Sequence, residues 1–503
     1  MRGKEEWRVE QHGETMELII RELDAKGRGL GEGIATTKDG RINQEMNKTN
    51  PETNLGTPMG RQFVGTRNAM PRPVPVPYTI PGERVRVFLP KKTRRGKGRE
   101  ARLLDVVEPH PARITPRCPH FTRCGGCVWQ HLGYKEQLAA KEAHVKACFA
   151  AAGLDAGVVK PVLGMDEPWH YRNKMEFTFS PDWRLGLHAP GDFGTVIPLE
   201  ECYIAGEEMV EAARVVSRWA LEYGLRGYDK RRHEGLLRHL MVRQSRATRE
   251  LMVALFATET PDALAETAPA ALEELKGRLR ERCAPLASLL WIVNRGLADK
   301  ADVEEMYCLD GRDYIWDELC GFRYRLKPQT FFQVNPVQAE RLVDIALRQA
   351  RPQPDERMID LFCGVGTFSL PFARRVRGLI GIEIVEASVE AARQNAADNG
   401  VANARFIAAD ARRGLDEVLR DHPGVDLLLL DPPRSGAGGK VMRKIGRARP
   451  ERVVYVSCNP ATLAEDCAAL LPFGYELVEA QPVDMFPHTV HVECVVTLIY
   501  KGN

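Results

Sequence analysis

The sequence predicts a multidomain α/β protein with an N-terminal OB-like β-barrel, a central α+β domain and a C-terminal Rossmann-like domain. Three observations lead to this prediction. The chain has 503 residues, which is too long for one hydrophobic core and suits about three units. In the N-terminal region, short alternating segments are separated by glycines, as in small β-barrels. From about residue 329 onward, apolar strands alternate with helices, as in doubly wound folds.

The first predicted domain covers residues 1–112. Alternation is visible in ETMELIIREL, which is followed by the glycine-rich KGRGLGEG and then by IPGERVRVFLP and ARLLDVVEP. Short strands joined by glycine turns fit a five-stranded barrel. Residues 36–74 interrupt the pattern with a polar segment rich in Asn, Thr, Pro and Gly. We expect this segment to be an exposed insertion in the barrel.

The N-terminal region is also the basic end of the chain. Residues 1–135 contain 25 Lys and Arg against 15 Asp and Glu, whereas the whole chain has a net charge of only +3. The densest basic run is PKKTRRGKGREAR, residues 90–102, with seven basic residues and one acidic residue. Such a run is either a solvated loop or a cationic surface for a phosphate backbone, and charge alone does not distinguish the two.

The second predicted domain covers residues 113–328 and mixes strands such as KMEFTFS and ELMVALFATE with helices such as EEMVEAARVVSRWALEYG. No apolar run approaches the ~18 residues that a membrane span needs. The first residues are polar and lack the apolar middle of a secretion signal. We therefore expect a cytoplasmic protein without a membrane partner, and a monomer.

The third predicted domain, residues 329–503, contains a candidate nucleotide-like site. Gly364 and Gly366 follow one strand, and Glu383, Asp410 and Asp431 end the next three strands. Carboxyl ends of parallel strands share one edge of a sheet, where ligands bind, although three acids there could also be solvent-facing caps. The loop lacks the third glycine of a pyrophosphate-binding G-x-G-x-x-G. An adenosyl ligand without phosphates, S-adenosylmethionine, therefore fits best.

The segment DPPRSG follows the fourth strand of this domain. Two prolines make the loop stiff, because each fixes φ and removes an amide donor. A similar acidic-Pro-Pro turn holds the target amine in adenine N-methyltransferases, where an aromatic residue usually comes next. Here the next residue is Arg434, which indicates a target atom other than an amine.

Cys458 in VSCNPATLAED ends an apolar strand at the same predicted edge. Most buried cysteines are inert small hydrophobic residues, and we predict this for Cys363, Cys467 and Cys494. Cys458 instead precedes a helix start, where amide dipoles favour a thiolate. Its position predicts a nucleophile next to the methyl donor.

Three cysteines are clustered in CPHFTRCGGC, with the spacing C-x5-C-x2-C. Close thiols in a reducing compartment indicate zinc or an iron-sulfur cluster. A zinc ribbon needs a second C-x2-C pair, and the chain offers only one plausible distant ligand, Cys202. Radical S-adenosylmethionine enzymes use a different spacing, C-x3-C-x2-C. The pattern therefore suits a cubane cluster that pins two segments together.

Five motifs, SCNPATLAED, FFQVN, DLFCGVGTF, DPPRSG and FPHTVHVEC, resemble in the same order those of the TrmA/RlmD-type RNA uracil-5-methyltransferase family. IPGERVRV resembles part of a TRAM domain, a barrel that binds RNA. The resemblance covers nearly the whole chain, although the insertion at 36–74 has no counterpart in it. It implies a class I methyltransferase domain, S-adenosylmethionine as cofactor and methylation of uridine at carbon 5. It also favours a phosphate contact for the basic run.

The resemblance further implies roles for individual residues. Cys458 would add to carbon 6 of the uracil, and Glu493 would remove the carbon 5 proton. Phe331 would stack on a base, and Arg172 would touch the substrate. Thr367 departs from the Asn often found at its position. Contacts with S-adenosylmethionine are implied for Gln333, Phe362, Thr367, Glu383, Asp410 and Asp431, and a [4Fe-4S] cluster for Cys118, Cys124, Cys127 and Cys202.

The implied substrate is structured RNA, in which the target uridine must be unstacked and turned outward. We expect 23S rRNA, because the barrel and the cluster accompany that branch of the family. A tRNA T-loop uridine is the alternative substrate. A rival of another class is a non-catalytic RNA-binding factor on a methyltransferase scaffold, which the presence of Cys458, Glu493 and Gln333 disfavours.

Overall fold

A computed structural model describes residues 13–33, 73–90, 100–283, 285–297, 302–422 and 424–502. Most of the predicted insertion at 36–74 and of the basic run at 90–102 lies outside these residues. The chain divides into two compact units. The first comprises Met1–Arg117, Cys127–Ala147 and His488–Val490, and the second comprises Cys118–Gly126, Cys148–Pro487 and His491–Asn503.

The first unit contains a five-stranded antiparallel sheet with the order β3-β2-β1-β4-β5. Leu18 and Ile20 of β1 alternate inward, and Leu18 lies opposite Val85 of β4 in the register. The amide of Ala101 donates to the carbonyl of Pro75 over 2.9 Å, so the chain just before β5 meets β3 and the sheet curls like a barrel. The elements are β1 (Gly13–Leu23), β2 (Gly29–Gly33), β3 (Val74–Val76), β4 (Arg84–Pro90), β5 (Arg102–Glu108) and most of the helix α1 (Tyr134–Ala151).

The IPGERV segment of this unit is organised around a buried carboxylate. Glu83 is fully buried and accepts the Ile80 amide at 2.9 Å. Its charge is paired with Arg113, whose Nη2 donates over 2.7 Å. A buried carboxylate is stable only when it is paired and hydrogen-bonded, so this Glu holds the turn before β4 in place.

The second unit contains a seven-stranded central sheet with the order β12-β11-β10-β9-β6-β7-β8. All seven residues of β10 are buried, which requires cover on both faces. Val253 and Leu255 point to helices α2 and α4, and the alternate residues Met252 and Phe256 join a second core. The elements are β6 (Lys174–Phe179), β7 (Leu185–Ala189), β8 (Asp192–Pro198), α2 (Glu207–Glu222), β9 (Leu237–Gln244), β10 (Leu251–Ala257), α3 (Pro261–Thr267), α4 (Ala271–Arg282), β11 (Leu286–Val293), β12 (Glu305–Gly311) and the hairpin β13 (Ile315–Leu319) and β14 (Phe322–Leu326).

A second seven-stranded sheet follows, with the order β17-β16-β15-β18-β19-β21-β20. Strands β15 to β19 are parallel, as in a Rossmann-like fold. The elements are α5 (Pro336–Ala350), β15 (Arg357–Leu361), α6 (Ser369–Ala373), β16 (Gly378–Glu383), α7 (Glu386–Asp398), β17 (Ala404–Ala408), α8 (Ala411–Asp421), β18 (Leu427–Leu430), α9 (Gly439–Ala448), β19 (Arg452–Ser457), α10 (Pro460–Ala468), β20 (Tyr475–Val483) and β21 (Glu493–Tyr500). Two short 3-10 helices cover Ala156–Val158 and Leu471–Phe473.

Alternating strands and helices predict a parallel sheet, and β21 departs from this prediction because it pairs antiparallel with both β19 and β20. The connection between β20 and β21 contains no helix, and a strand that returns without a crossover helix runs antiparallel. This reversal places the start of β21 at the same edge as the carboxyl ends of β15 to β19. Among the described residues, no helix is long and apolar enough to cross a membrane.

Candidate active site

The loop after β15 forms one side of the site. Phe362, Gly364 and Gly366 all have positive φ, at 64°, 52° and 89°. A side chain at Gly364 would meet no atom within 4 Å, so open space lies beside this backbone. The Gly364 amide donates to Oε2 of Glu383 over 3.2 Å, and the Val385 amide donates to Oε1 over 2.9 Å. The backbone thus fixes the Glu383 carboxylate at the end of β16.

Buried carboxyl groups lie beside this loop. Asp360 accepts the Ser369 hydroxyl at 2.5 Å, while its Oδ1 is buried without a partner among the residues that the structure describes. Burial raises the pKa of Asp360 to about 7, and the charges of Asp431 and Glu383 add to the effect. Burial also raises the pKa of Asp431 well above its usual range, with a further contribution from Glu493. The edge of the sheet therefore concentrates acidic groups, which suits a cationic ligand or one that donates hydrogen bonds.

Asp410 has a structural function in the described geometry. It precedes α8, and its Oδ1 accepts the amides of Arg412 and Arg413 at 3.1 and 3.4 Å. Asp410 is therefore the N-cap of α8. A capping role is the alternative to ligand binding that the sequence analysis gave for the acids at the strand ends. Its contact with a cofactor stays a prediction.

Cys458 lies at the same edge, directly after β19, and is half-buried. In the sheet register, Ser457 of β19 faces Cys494 of β21, which brings Glu493 next to the thiol. Glu493 is only 4% exposed. Burial raises the pKa of this carboxyl to about 7, against the opposing charge of Arg434. The predicted nucleophile and a carboxyl group with a near-neutral pKa are therefore neighbours.

The Cys458 thiol does not have the lowered pKa that the sequence predicted. Burial raises its pKa, the charges of Glu493 and Asp431 add to this, and Arg434 opposes it through its charge and a hydrogen bond. The first-turn amide of α10 that we expected to stabilise a thiolate is engaged elsewhere, because the Asn459 side chain accepts the Ala461 amide at 3.2 Å. The neutral thiol is thus the favoured resting form at neutral pH.

Arg434 is a functional candidate to which the sequence analysis gave no role beside Cys458, using it only as a sign that the target atom is not an amine. Its guanidinium lies near both Cys458 and Glu493, and its Nη2 is 3.5 Å from Nε2 of His491. Its carbonyl accepts the Asn459 side-chain amide at 2.9 Å, which ties the DPPR loop to the cysteine turn. The two prolines before Arg434 were the available signal, since they make the loop stiff.

The remaining predicted site residues lie in the turn before α5 and in the loop after β15. The Gln333 carbonyl accepts the Asn173 side-chain amide at 3.2 Å. Phe331 in the preceding turn is 69% exposed, so its ring is accessible. Buried Arg243 fixes this turn, because its Nη2 donates to the Thr330 carbonyl over 2.8 Å. Thr367 is half-buried in the loop after β15.

Comparisons with known proteins agree with this geometry. The family model for tRNA (uracil-5-)-methyltransferase matches residues 272–501. An uncharacterised RNA methyltransferase of Porphyromonas gingivalis is 37% identical over 449 residues, covering 84% of this chain and 94% of that protein. Another, from Halalkalibacterium halodurans, is 36% identical and covers 85% and 92%. The chain belongs to the RNA uracil-5-methyltransferase family.

A solved structure matches the methyltransferase over almost its whole length. Pyrococcus abyssi tRNA (uracil-54, C5)-methyltransferase, in complex with S-adenosyl-L-homocysteine, superposes with a TM-score of 0.71 and 26% identity. The match covers 96% of this chain and 99% of that one. The resemblance predicted from the five motifs is confirmed, and the protein is an S-adenosylmethionine-dependent RNA methyltransferase.

Three of the predicted cluster cysteines of the methyltransferase lie close together in the second unit. In the second unit, Cys118 and Cys202 lie within electrostatic reach of Cys124, whose pKa is raised to about 11 by burial and then by these two thiols. Cys127 belongs to the first unit. No group of three or more His, Cys, Asp or Glu side chains in the described part of the chain could hold a metal ion. The structure therefore does not show the predicted iron-sulfur site.

The sulfur environment is nevertheless compatible with ligation. The Gly126 amide donates to Sγ of Cys124 over 3.4 Å. Backbone amides also donate to the sulfurs of Cys118 and Cys202. Amide hydrogen bonds to sulfur stabilise the anionic thiolates of a metal site.

The other cysteines of the methyltransferase domain agree with the prediction of inert residues. Cys363, Cys467 and Cys494 are buried, and burial raises the pKa of each thiol. Cys458 is the more exposed thiol of this domain and the one that faces a guanidinium.

Proposed function

We propose that this enzyme methylates carbon 5 of a specific uridine in 23S rRNA through a covalent adduct with Cys458. The observation that carries the proposal is the juxtaposition of Cys458, Glu493 and Arg434 at one edge of the sheet. Each comes from a different motif of the chain. Together they supply a nucleophile, a base and a cation beside the nucleophile.

Uracil chemistry explains why this set is needed. Carbon 5 of uracil is too weakly nucleophilic to accept a methyl group unaided. The Cys458 thiolate adds to carbon 6, and the electron pair moves through carbon 5 onto oxygen 4 as an enolate. Carbon 5 then attacks the sulfonium methyl group, and S-adenosylhomocysteine leaves. Glu493 takes the carbon 5 proton, and elimination of the thiolate restores the ring.

Arg434 would help form the thiolate, because its guanidinium opposes the rise of the thiol pKa caused by burial and by nearby carboxylates. Cys458 is half-buried, so its thiol would lose its proton to solvent before the sulfur adds to carbon 6, and Arg434 would stabilise the thiolate that forms. Since a stacked uridine exposes neither face of its ring, the target nucleotide must be turned out of the RNA.

The cofactor would lie at the carboxyl ends of β15 to β18. Glu383 is held by two amides at the place where an acid accepts ribose hydroxyl protons in related folds. The positive-φ glycine loop allows close backbone approach to the cofactor. The full contact set that we propose is Gln333, Phe362, Thr367, Glu383, Asp410 and Asp431.

The choice of 23S rRNA is supported by the curled N-terminal sheet, which we interpret as a TRAM-like RNA-binding barrel over residues 1–112. The boundaries of the central part, 113–328, and of the methyltransferase domain, 329–503, belong to the same proposal. A tRNA substrate is the second candidate, favoured by the whole-length similarity to the Pyrococcus abyssi tRNA enzyme.

Tritium release tests the function directly. Methylation at carbon 5 expels its hydrogen, so the purified enzyme with S-adenosylmethionine should release tritium from 23S rRNA transcripts labelled with [5-³H]uridine. Matched tRNA transcripts serve as the comparison. Release from tRNA alone would favour the second candidate, and no release from either RNA would indicate a binding factor.

We further propose that Cys118, Cys124, Cys127 and Cys202 hold a [4Fe-4S] cluster that links two segments of the chain. The mutual electrostatic effect of three of these thiols and their amide donors support this. Enzyme purified without oxygen should contain about four iron and four sulfide per chain. Cys124→Ser should remove most of the iron, whereas Cys308→Ser, at an exposed thiol on β12, should retain it. Equal iron in both variants, or none in the wild type, would contradict the proposal.

A further inference from the structure

A cleft of about 620 Å³ lies in the second unit, apart from the Cys458 site. It is bounded by residues 165–173, the start of α2, residues 244–249 and the start of α5. Its lining in the described part of the chain contains neither Cys458 nor Glu493. The volume falls within the range of about 300–1,000 Å³ found for small-ligand sites.

Two residues that line the cleft each carry a buried donor without an acceptor among the described residues. Gln244 is 7% exposed, and its Nε2 has no hydrogen-bond partner among the described residues. Nε of Arg172 is also buried without a partner there. Buried polar atoms in native proteins are nearly always satisfied by protein, water or ligand. Two residues with unsatisfied donors in the lining of one cleft favour a ligand that brings hydrogen-bond acceptors.

The position of Gln244 is fixed by its neighbours. The backbone amide of Gln244 donates to the Asn173 carbonyl over 2.9 Å, and the backbone amide of Asn173 donates to the Val334 carbonyl over 2.8 Å. The Asn173 side chain also donates to the Gln333 carbonyl. The cleft is therefore joined through Asn173 to the segment that carries Phe331 and Gln333.

The charges around the cleft indicate what kind of molecule fits. Four arginines and four carboxylates line it, so their formal charges cancel. Two of the arginines are paired, Arg341 with Asp166 at 3.3 Å and Arg249 with Glu208 at 3.9 Å. A lining without net charge does not favour a free anion. It suits a neutral, polar ring.

Aromatic residues complete this environment. Half-buried Trp169 and exposed Arg246 line the cleft, whereas Tyr171, also in the lining, is buried and donates its hydroxyl to the Pro487 carbonyl. Proteins recognise unpaired nucleotides by stacking bases on aromatic or guanidinium planes and by hydrogen-bonding their edges. Amide side chains such as Gln read base edges, and arginines contact the adjoining phosphates.

We propose that this cleft binds a second, unmethylated nucleobase of the substrate RNA, with Gln244 donating to an acceptor on the base edge. The inference rests on the proposed RNA methylation and adds a specificity site to it. Because the cleft is joined to the Phe331 segment, the bound base belongs to the same unpaired loop as the target uridine. The site would select RNA by a nucleotide that is not modified.

Variants of the cleft test the inference. Gln244→Leu removes the donor at similar volume, and Arg246→Ala removes an exposed cation without disturbing the core. Each should raise the Kd for fluorescently labelled substrate RNA and the KM for tritium release by about tenfold, with kcat nearly unchanged. Arg348→Ala is the control, since Arg348 is exposed on the same helix α5, pairs with Asp344 and lies outside the cleft.

Abasic substitution identifies the bound base. Each loop nucleotide next to the target uridine is replaced in turn by an abasic site, and the Kd is measured with wild type and with Gln244→Leu. At one position, the abasic substitution should raise the Kd of the wild type about tenfold. The same substitution should not raise the Kd of Gln244→Leu further, because both changes remove the same contact. Arg246→Ala and the wild-type abasic series keep the test available if Gln244→Leu does not fold.

The outcomes separate the two proposals. Tritium release by the wild type with unchanged Kd and KM in both variants would overturn the cleft inference and leave the methylation intact. Absence of tritium release would overturn the proposed function, while the Kd values would still report on the cleft. Failure of the wild type to bind the RNA would overturn the cleft inference as well.

Discussion

Cys458→Ala is expected to reduce methylation by at least about 10⁴-fold, the scale of loss when a covalent nucleophile is removed. Without the thiolate, carbon 6 receives no addition, and carbon 5 has no enolate character with which to attack the methyl group. Tritium release from labelled RNA measures the loss. A second readout is the gel-shifted adduct with RNA containing 5-fluorouridine, which cannot lose its carbon 5 substituent. Wild type should form this adduct, and the variant should not.

Two controls show whether Cys458→Ala loses activity because the thiol is missing or because the fold is disturbed. Cys308→Ala removes an exposed thiol on β12 and should retain full activity. Cys458→Ala itself should bind S-adenosylmethionine and unlabelled RNA like the wild type, because Cys458 is half-buried at an edge and its side chain is small. Residual turnover close to the wild-type rate would show that the nucleophile lies elsewhere.

Glu493→Gln is expected to stop the reaction after methyl transfer. The amide matches the carboxylate in shape but cannot accept the carbon 5 proton, so the methylated RNA stays bound to Cys458. Release of tritium should fall by about 10²–10⁴-fold, the usual contribution of a general base. Addition of Cys458 to carbon 6 should not be slowed, because the substitution removes the negative charge that raises the Cys458 pKa. Radioactive methyl from the cofactor should appear in a covalent protein–RNA complex.

Glu476→Gln provides the matched control, since Glu476 is an exposed glutamate on the neighbouring strand β20. It should turn over normally and accumulate no adduct. Full turnover by Glu493→Gln, or loss of adduct formation together with turnover, would contradict the assignment of Glu493 as the base.

The pKa of Glu493 also sets the direction of the pH dependence. The carboxyl is protonated below about 7 in the folded protein, so proton removal should accelerate as the pH rises through 7. The contribution of Glu493 to the stability of the fold changes in the opposite direction, because it falls as the pH rises. In the unfolded chain the group ionises near its ordinary value of 4.5, so its stabilising contribution is present below that value and is lost as the pH rises through about 7. Glu493→Gln should therefore raise the Tm at pH 8 and change it little at pH 4.

The position of the candidate site at one edge of the sheet could be predicted from local sequence. Cys458 at the end of an apolar strand, the glycines after β15 and the stiff DPPR turn are features of short segments, and the five motifs carried the family assignment. The curled N-terminal sheet and the parallel strands β15 to β19 also follow from local patterns, because alternation and strand-helix order are written in neighbouring residues.

Only the folded structure shows which residues from distant segments of the chain become neighbours. The antiparallel course of β21 places Glu493 beside Cys458, and the fold brings Arg434 to the same thiol. The direction of the thiol pKa shift was mispredicted, because burial and neighbouring carboxylates outweigh the helix start, and neither is visible in a local pattern. The cleft around Gln244 likewise gathers segments that are far apart along the chain. Residue type and short-range periodicity are encoded locally, whereas distances, desolvation and charge-charge effects depend on which strands become neighbours.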